Sequence, residues 1–567
     1  MTSTTQVRPD LLTNPEILTI PARDGIRLAA ALYRPAGPGP FPVLFAASPY
    51  RFDNNTLPAS AQFLYRETGP IAFYVERGYA YVHLDIRGCG RSEGEFDFLG
   101  PKDQADLYDA IEFVGTQSWS SGKVGGLGQS YYCMLQWWMG IMNPPSLKCL
   151  GAYDGFIDLY RAGCYHGGIE CDFFSYWWQQ NRIINQHPAN GVEPRWQDLD
   201  LDALIQQHPL YDDFWKERNA IERIEEIEVP VYSSGAWCKH QIHTRGNIDA
   251  YLRVSGPKKL RMSGVANAFA AVEEFDSVDF HREVLLPFYD HYLKGLDTDY
   301  VRRPPIEYEL RGHHEMRSAE SWPPPEVRYR SFQLSGAKSG SVVSLNDGSL
   351  TDKAPAQYDT VEYRYPNPGW VAGVVGFGPK GPASGFDPAR CVLTFTTDAL
   401  SEDLCIAGPV KLVVHLSSTR AETDVFVKLQ DQFPAAAPAD ADGANPRADN
   451  VTRGWLKATR RALDAKRSTE MAPLPAHEKE EPLEPGKVYR LEISLEPTAY
   501  LFKAGHRIRI EIANGDSALT ETVWPHLYRP DKIGADTYHF GPGVDSELVL
   551  PVLPNAGTAS ANRELKS

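Results

Sequence analysis

Apolar and polar residues alternate along residues 16–34, EILTIPARDGIRLAAALYR, about the turn RDG, which predicts a β-hairpin. Solid apolar runs follow at 41–50 (FPVLFAASPY), 79–96 (YAYVHLDIRGCGRSEGEF) and 122–130 (GKVGGLGQS), each ending in a loop or in glycines, as fully buried strands do. Between them, DQADLYDAIEFVGTQ (103–117) carries its apolar residues at helical spacing, and YYCMLQWWMGIM continues the third run as a helix. Strand alternating with helix implies a mostly parallel sheet covered on both faces. Sites in such sheets lie beyond the C-terminal ends of the strands, where Tyr50, Asp85 and Ser130 fall.

From 155 to 225 the pattern becomes aromatic, His-rich and helical, without strands, and reads as an inserted cap. VPVYSSGAW (229–237) and KKLRMSGV (258–265) resume the sheet, and the helix REVLLPFYDHYLKG (282–295) closes it. From about 303 short alternating strands predict an all-β sandwich, interrupted by a polar Ala/Pro-rich loop at 433–450 that is expected to be mobile. The expected organisation is therefore an α/β domain over 1–154 and 226–302, a helical cap over 155–225, and a β-sandwich over 303–567.

The formal charge of −16 argues against a nucleic-acid surface, which needs clustered Lys and Arg. No apolar run reaches the length of a membrane span and no signal peptide is visible, so a cytoplasmic location is expected. The eight cysteines are scattered without a CxxC pair and read as small buried apolar residues. No metal or dinucleotide pattern appears: His313 and His314 in RGHHEMR are strand neighbours facing opposite ways. No cofactor is expected. The expected partner is a small-molecule substrate, with neither nucleic acid nor membrane, and a homodimer is plausible.

The chemistry centres on GGLGQSYYC (125–133). A strand turning sharply into a helix thrusts a Ser above the sheet if small residues let the turn close. Gly128 stands two before Ser130, but Tyr132 stands two after it, so the general G-x-S-x-G pattern fails. An ordinary helix-capping serine is the competing reading.

Several motifs together resemble the cocaine esterase and X-Pro dipeptidyl-peptidase-like family of α/β-hydrolases. They are the elbow Gly128-x-Ser130-Tyr131, Asp85-Ile-Arg87-Gly88-Cys-Gly90-Arg-Ser92-Glu-Gly94, Pro49-Tyr50, YHGGI (165–169), HTRG (243–246), SWPPP (321–325), TRGWLKATRR (452–461) and FKAGHRIRIEI (502–512). The resemblance implies an α/β-hydrolase fold with an inserted helical cap and a C-terminal jelly roll. It also implies Ser130 as nucleophile, with the Tyr50 phenol and the Tyr131 backbone N–H as oxyanion donors, each worth about 3 kcal/mol.

The resemblance breaks at the base. The family's Asp follows a Trp by two residues; after Trp237 that position is Lys239. No histidine lies between His243 and His281, and the family's His falls on Ser263 or Ala268. A serine hydroxyl needs a base. Lys239, if buried enough to lose its proton, or His240, the nearer of two histidines to the strand end, are the candidates; His243 reads as a helix start. In the cap, His166, Phe174 and Trp177, together with Trp237, are the expected substrate-binding residues. The expected activity is a serine-dependent acyl hydrolase or transferase on an ester, thioester or amide with a non-standard base. A non-hydrolytic enzyme (lyase, isomerase or cyclising acyl transfer) using Tyr50, Ser130 and Lys239 as acid–base groups is the alternative, and a non-catalytic binding protein the third reading.

Overall fold

A computed structural model describes residues 15–62, 67–188, 191–366, 388–435, 445–516, 526 and 529–554. The chain forms two compact units, Met1–Ala162 with Phe174–Gln207 and Asp213–Tyr308, and Gly163–Phe173 with His208–Asp212 and Glu309–Ser567.

The first unit is built on one sheet. Its strands are β1 (Glu16–Pro21), β2 (Arg27–Tyr33), β3 (Phe41–Ser48), β4 (Ala80–Asp85), β5 (Ser120–Gln129), β6 (Leu147–Tyr153), β7 (Val231–Ala236), β8 (Lys258–Ser263) and β9 (Ile306–Leu310). Their order is β1-β2-β4-β3-β5-β6-β7-β8-β9. The hairpin β1–β2 and the β2–β4 pair are antiparallel, and from β4 onward the neighbours run parallel. Every residue of β4 and β7 is buried, as strands covered on both faces must be. The helices α1 (Pro101–Gly115), α2 (Tyr131–Met142) and α3 (Thr244–Arg253) follow β4, β5 and β7. This is the doubly covered sheet of an α/β-hydrolase-like domain.

Two boundaries differ from expectation. The strand in RRPPIEYELRG joins the first sheet, with Leu260–Met262 paired in parallel to Ile306–Tyr308, so the second unit begins at Glu309. The stretch 155–225 is not one body. Its Tyr165–His166 and Ile169–Glu170 form a short hairpin whose turn, Gly167 and Gly168, has φ of 56° and 90°. Two left-handed residues make the turn that a tight hairpin prefers, so a Gly-Gly pair supplied a strand signal inside an otherwise helical stretch. The hairpin belongs to the second unit because Lys457 N–H donates to the Gly167 carbonyl (2.9 Å), and a side chain at Gly167 would meet the Trp455 carbonyl at 2.1 Å.

The second unit is all-β. Its eleven-stranded sheet closes on itself: Leu404–Ser418 pairs on one side with Tyr489–Phe502 and also with the last strand, Glu547–Leu553. Alternating apolar residues fill its interior, among them Phe395, Ile406, Leu412, Leu429, Leu491 and Ile510. Residues 436–444 of the Ala/Pro-rich loop lie outside the described residues. None of the eight cysteines is in a disulfide, and all but Cys238 are buried. Among the described residues, no helix is long and apolar enough to cross a membrane.

Candidate active site

Ser130 occupies the corner between β5 and α2 with φ 60° and ψ −119°, a conformation L residues rarely adopt. Its side chain makes no cap bond to the helix, which removes the capping-serine reading. Its backbone N–H donates instead to the carbonyls of Asp154 (2.9 Å) and Tyr153 (3.2 Å) at the end of β6. The tight turn explains Gly128: a Cβ there would lie 2.3 Å from the Tyr132 Cβ. Cys133, three residues after Ser130, packs against Gly155, whose absent Cβ would meet the Cys133 sulfur at 2.4 Å.

Tyr50 follows β3 and is locked from several sides. Its N–H donates to Ser48 Oγ (3.1 Å), and Asn185 Nδ2 donates to the Pro49 carbonyl (3.0 Å). The buried Arg51 pairs with Asp53 and donates to the carbonyls of Ile184 (3.1 Å) and His187 (2.9 Å), tying this loop to the helix Phe173–Gln186 and the residue that follows it. The Asp85 carboxylate accepts from the N–H groups of Phe52 (2.8 Å) and Arg91 (3.0 Å), and burial pushes its pKa up to about 7. A Cβ on Gly90 would lie 2.1 Å from that carboxylate, so the glycine-rich signature around Asp85 shapes the Tyr50 loop.

A chain of hydrogen bonds runs from Trp177 through Tyr50 and Ser130 to His243. Trp177 Nε1–H can only donate, and it donates to the Tyr50 oxygen (3.2 Å). Tyr50 is in turn hydrogen-bonded to Ser130, and Ser130 Oγ lies 3.3 Å from His243 Nε2. Two tautomers of His243 satisfy the Nε2 contact: Nδ1–H, with the Ser130 O–H donated to Nε2, and Nε2–H, donated to Ser130 Oγ. Burial, with the charge of Lys239 second, holds its imidazole pKa well below the ordinary value, so the ring is neutral. Nδ1 has no hydrogen-bond partner among the described residues. The ring stacks on Phe156 at 5.6 Å and 24°.

Of the two histidines in GAWCKHQIHTRG, His243 rather than His240 therefore faces Ser130. The reason is helical spacing. The Lys239 carbonyl collects the N–H groups of Ile242 (3.0 Å) and His243 (2.9 Å), so Lys239 and His243 sit one turn apart on one face, and His240 points elsewhere. His243 is also the N-cap residue of α3, the helix-start place assigned to it, and the two roles coexist. Lys239 is only 9% exposed, not a surface lysine, and its Nζ lies 3.8 Å from Asp154 Oδ2. Asp154 follows β6, has φ 45°, and accepts from the Ala236 N–H (2.9 Å) and Gln129 Nε2 (3.1 Å).

Trp177 stacks on Tyr131 (5.5 Å, 10°), and Phe174 packs edge-on to Trp177, Phe98 and Phe156. Trp237 is fully buried. His166 belongs to the second unit, where it stacks on Trp455 (4.5 Å) and its Nδ1 lies 3.0 Å from His526 Nε2. The hairpin that carries it draws it into that unit. The sequence reading missed Asp154, although it directly follows a strand end, and Glu67, whose loop carries no pattern.

A nucleophile elbow on this strand order, with a phenol and an imidazole converging on its serine, defines an α/β-hydrolase-fold enzyme. Residues 24–265 match the family described as X-Pro dipeptidyl-peptidase (S15 family), and 299–549 match the X-Pro dipeptidyl-peptidase C-terminal non-catalytic domain. The cocaine esterase of Rhodococcus sp. (strain MB1 Bresler) is 26% identical over 606 positions, covering 94% of this chain and 97% of the esterase. A CocE/NonD family hydrolase from Staphylococcus aureus superposes with a TM-score of 0.79 at 25% identity, covering 95% of this chain and 93% of its own. An aminopeptidase from a marine sediment Thaumarchaeota archaeon shares the fold, with a TM-score of 0.70 at 18% identity over 98% and 99% of the two chains. The chain belongs to this CocE/NonD, X-Pro dipeptidyl-peptidase-like family of α/β-hydrolase enzymes.

Proposed function

We propose that the protein is an acyl hydrolase or acyl transferase acting on an ester, thioester or amide of a small molecule, with Ser130 as nucleophile and His243 as base. The observation that carries this reading is the hydrogen bond between Ser130 Oγ and His243 Nε2 at the strained elbow. Oγ attacks the carbonyl carbon and its proton passes to Nε2. The carbonyl oxygen becomes an oxyanion, which accepts from the Tyr50 O–H and from the Tyr131 N–H. The latter is the first of α2 and has no acceptor within its helix. The C–O, C–S or C–N bond breaks as the leaving group takes the proton from Nε2, and water or another acceptor then releases the acyl group from Ser130. Lys239 is neither base nor nucleophile in this scheme; burial first and the charge of Lys239 second keep His243 neutral, and both make it a weaker base. The bonds from Arg51 to Ile184 and His187 support a roof role for the helix Phe173–Gln186. The closure of the C-terminal sheet supports the jelly-roll reading of that unit.

One observation favours a second reading, in which the same groups serve a non-hydrolytic reaction as acids and bases. His243 Nδ1 has no carboxylate to stabilise an imidazolium. A fluorophosphonate probe separates the two, since it reacts with an activated serine. Under the first reading the probe adds one phosphonyl group to the protein, and Ser130→Ala abolishes the addition. A native protein that stays unlabelled, with turnover retained in Ser130→Ala, overturns it.

A further inference from the structure

Glu67 is a buried acid that the scheme above leaves unused. Its carbonyl accepts the N–H of Gln129 (3.0 Å), one residue before the nucleophile, so its backbone is stitched to the elbow. The next residue is held as well, because the Tyr81 hydroxyl donates to the Thr68 carbonyl (2.8 Å). Glu67 has φ 54°, and two further non-glycine residues of positive φ, Ser130 (φ 60°) and Asp154 (φ 45°), lie at the same corner: the Ser130 N–H donates to the Asp154 carbonyl, while Glu67 is joined through Gln129. Strain of this kind costs about 1–3 kcal/mol per residue and collects at functional sites. Glu67 is buried, and its Oε2 has no hydrogen-bond partner among the described residues. A buried, unpartnered carboxyl oxygen also lowers stability, by about 1–3 kcal/mol.

The groups within electrostatic reach of this carboxyl are Lys239, Asp154 and Asp276, with the phenols of Tyr50 and Tyr132. Lys239 is also the charge that acts on His243. Burial raises the Glu67 pKa well above the ordinary carboxyl range, Lys239 opposes that rise, and Asp276 and Asp154 add to it. The acid thus stays protonated at pH values where a surface glutamate is ionised.

We propose that Glu67 is a positioning residue of this site: on ionising it supplies a second counter-charge to Lys239, relieves the repulsion that Lys239 exerts on a protonated His243, and so sets how strong a base Ser130 meets. The proposal rests on the reading of Ser130 and His243 as nucleophile and base. Its sign follows directly. With Glu67 protonated, Lys239 lacks this counter-charge and the imidazolium is disfavoured. With Glu67 ionised, the added negative charge favours proton transfer from Ser130. Serine reactivity therefore steps upward with pH at the Glu67 ionisation. The step is roughly tenfold, the order expected of one unit charge acting within a site of effective dielectric near 20.

The test is the rate of fluorophosphonate addition to Ser130 as a function of pH, in the full chain and in Glu67→Gln. The native protein is expected to show the step. A neutral carboxylic acid band in its infrared spectrum should vanish over the same pH interval. Glu67→Gln should lack the step and Glu67's own contribution to that band, read in the native-minus-variant difference spectrum, and react at the slow, low-pH rate throughout. Glu67→Asp, the check against a folding defect, should restore a step at a shifted midpoint. Native and Glu67→Gln proteins labelling with the same pH profile overturn this proposal alone, as does a Glu67→Asp step at the native midpoint. A native protein unlabelled at every pH removes the nucleophile reading and this proposal with it.

Discussion

Replacing His243 by Gln tests the central pair most directly. The glutamine keeps a polar group near Ser130 Oγ and removes the imidazole nitrogen that lies 3.3 Å from it. General-base catalysis is ordinarily worth about 10²–10⁴ in rate. Here the lower end is expected, for two structural reasons. No carboxylate holds Nδ1, and in a serine triad loss of that carboxylate's charge alone costs about 10⁴. Burial and Lys239 further weaken the imidazole as a proton acceptor. The Tyr50 and Tyr131 donors are untouched by the change, so their share of the rate survives it. The expected loss is therefore about 10², or about 2.7 kcal/mol at 1.36 kcal/mol per tenfold. The measurement is the second-order rate constant for fluorophosphonate addition, followed by intact mass at constant pH, with Ser130→Ala as the blank. A His243→Gln rate within threefold of the native rate refutes the base assignment. A loss of 10⁴ or more refutes the argument from the missing carboxylate, because it would mean that the imidazole works at the strength of a complete triad.

Two further outcomes follow from the same geometry. Tyr50→Phe removes one oxyanion donor while keeping the ring packed against Tyr131 and Tyr132, and is expected to lower probe reactivity by about 10²–10³; an unchanged rate would exclude the phenol from the oxyanion site. Gly155→Ala forces a Cβ to within 2.4 Å of the Cys133 sulfur and is expected to destabilise the first unit by about 1–3 kcal/mol in urea unfolding. The Cys133→Gly background should relieve most of that loss, and strictly additive effects would show that the two positions do not share the space.

The parallel sheet, its strand ends and the all-β second half could be read from the chain because their signals are local. Apolar runs, alternation and glycine-marked turns act within a few residues, and each element obeyed its own period. Ser130 and Tyr50 were legible for the same reason, since each ends or follows a buried strand. The boundary at Glu309 and the hairpin Tyr165–Glu170 depended on which sheet captured a short strand, which is a matter of long-range pairing. The identity of the base depended on something finer still. Reckoned along the chain, His240 is nearer the strand end, but a turn capped by the Lys239 carbonyl carries His243 to the serine. The burial of Lys239 beside Asp154 and the enclosure of Glu67 behind Gln129 likewise join residues from three loops and a strand end whose sequences do not mention one another. Local pattern decided where a reactive group could stand. Only the packing of distant segments decided which groups surround it, and hence their charge, because desolvation and Coulomb interaction depend on distance through space and not on separation along the chain.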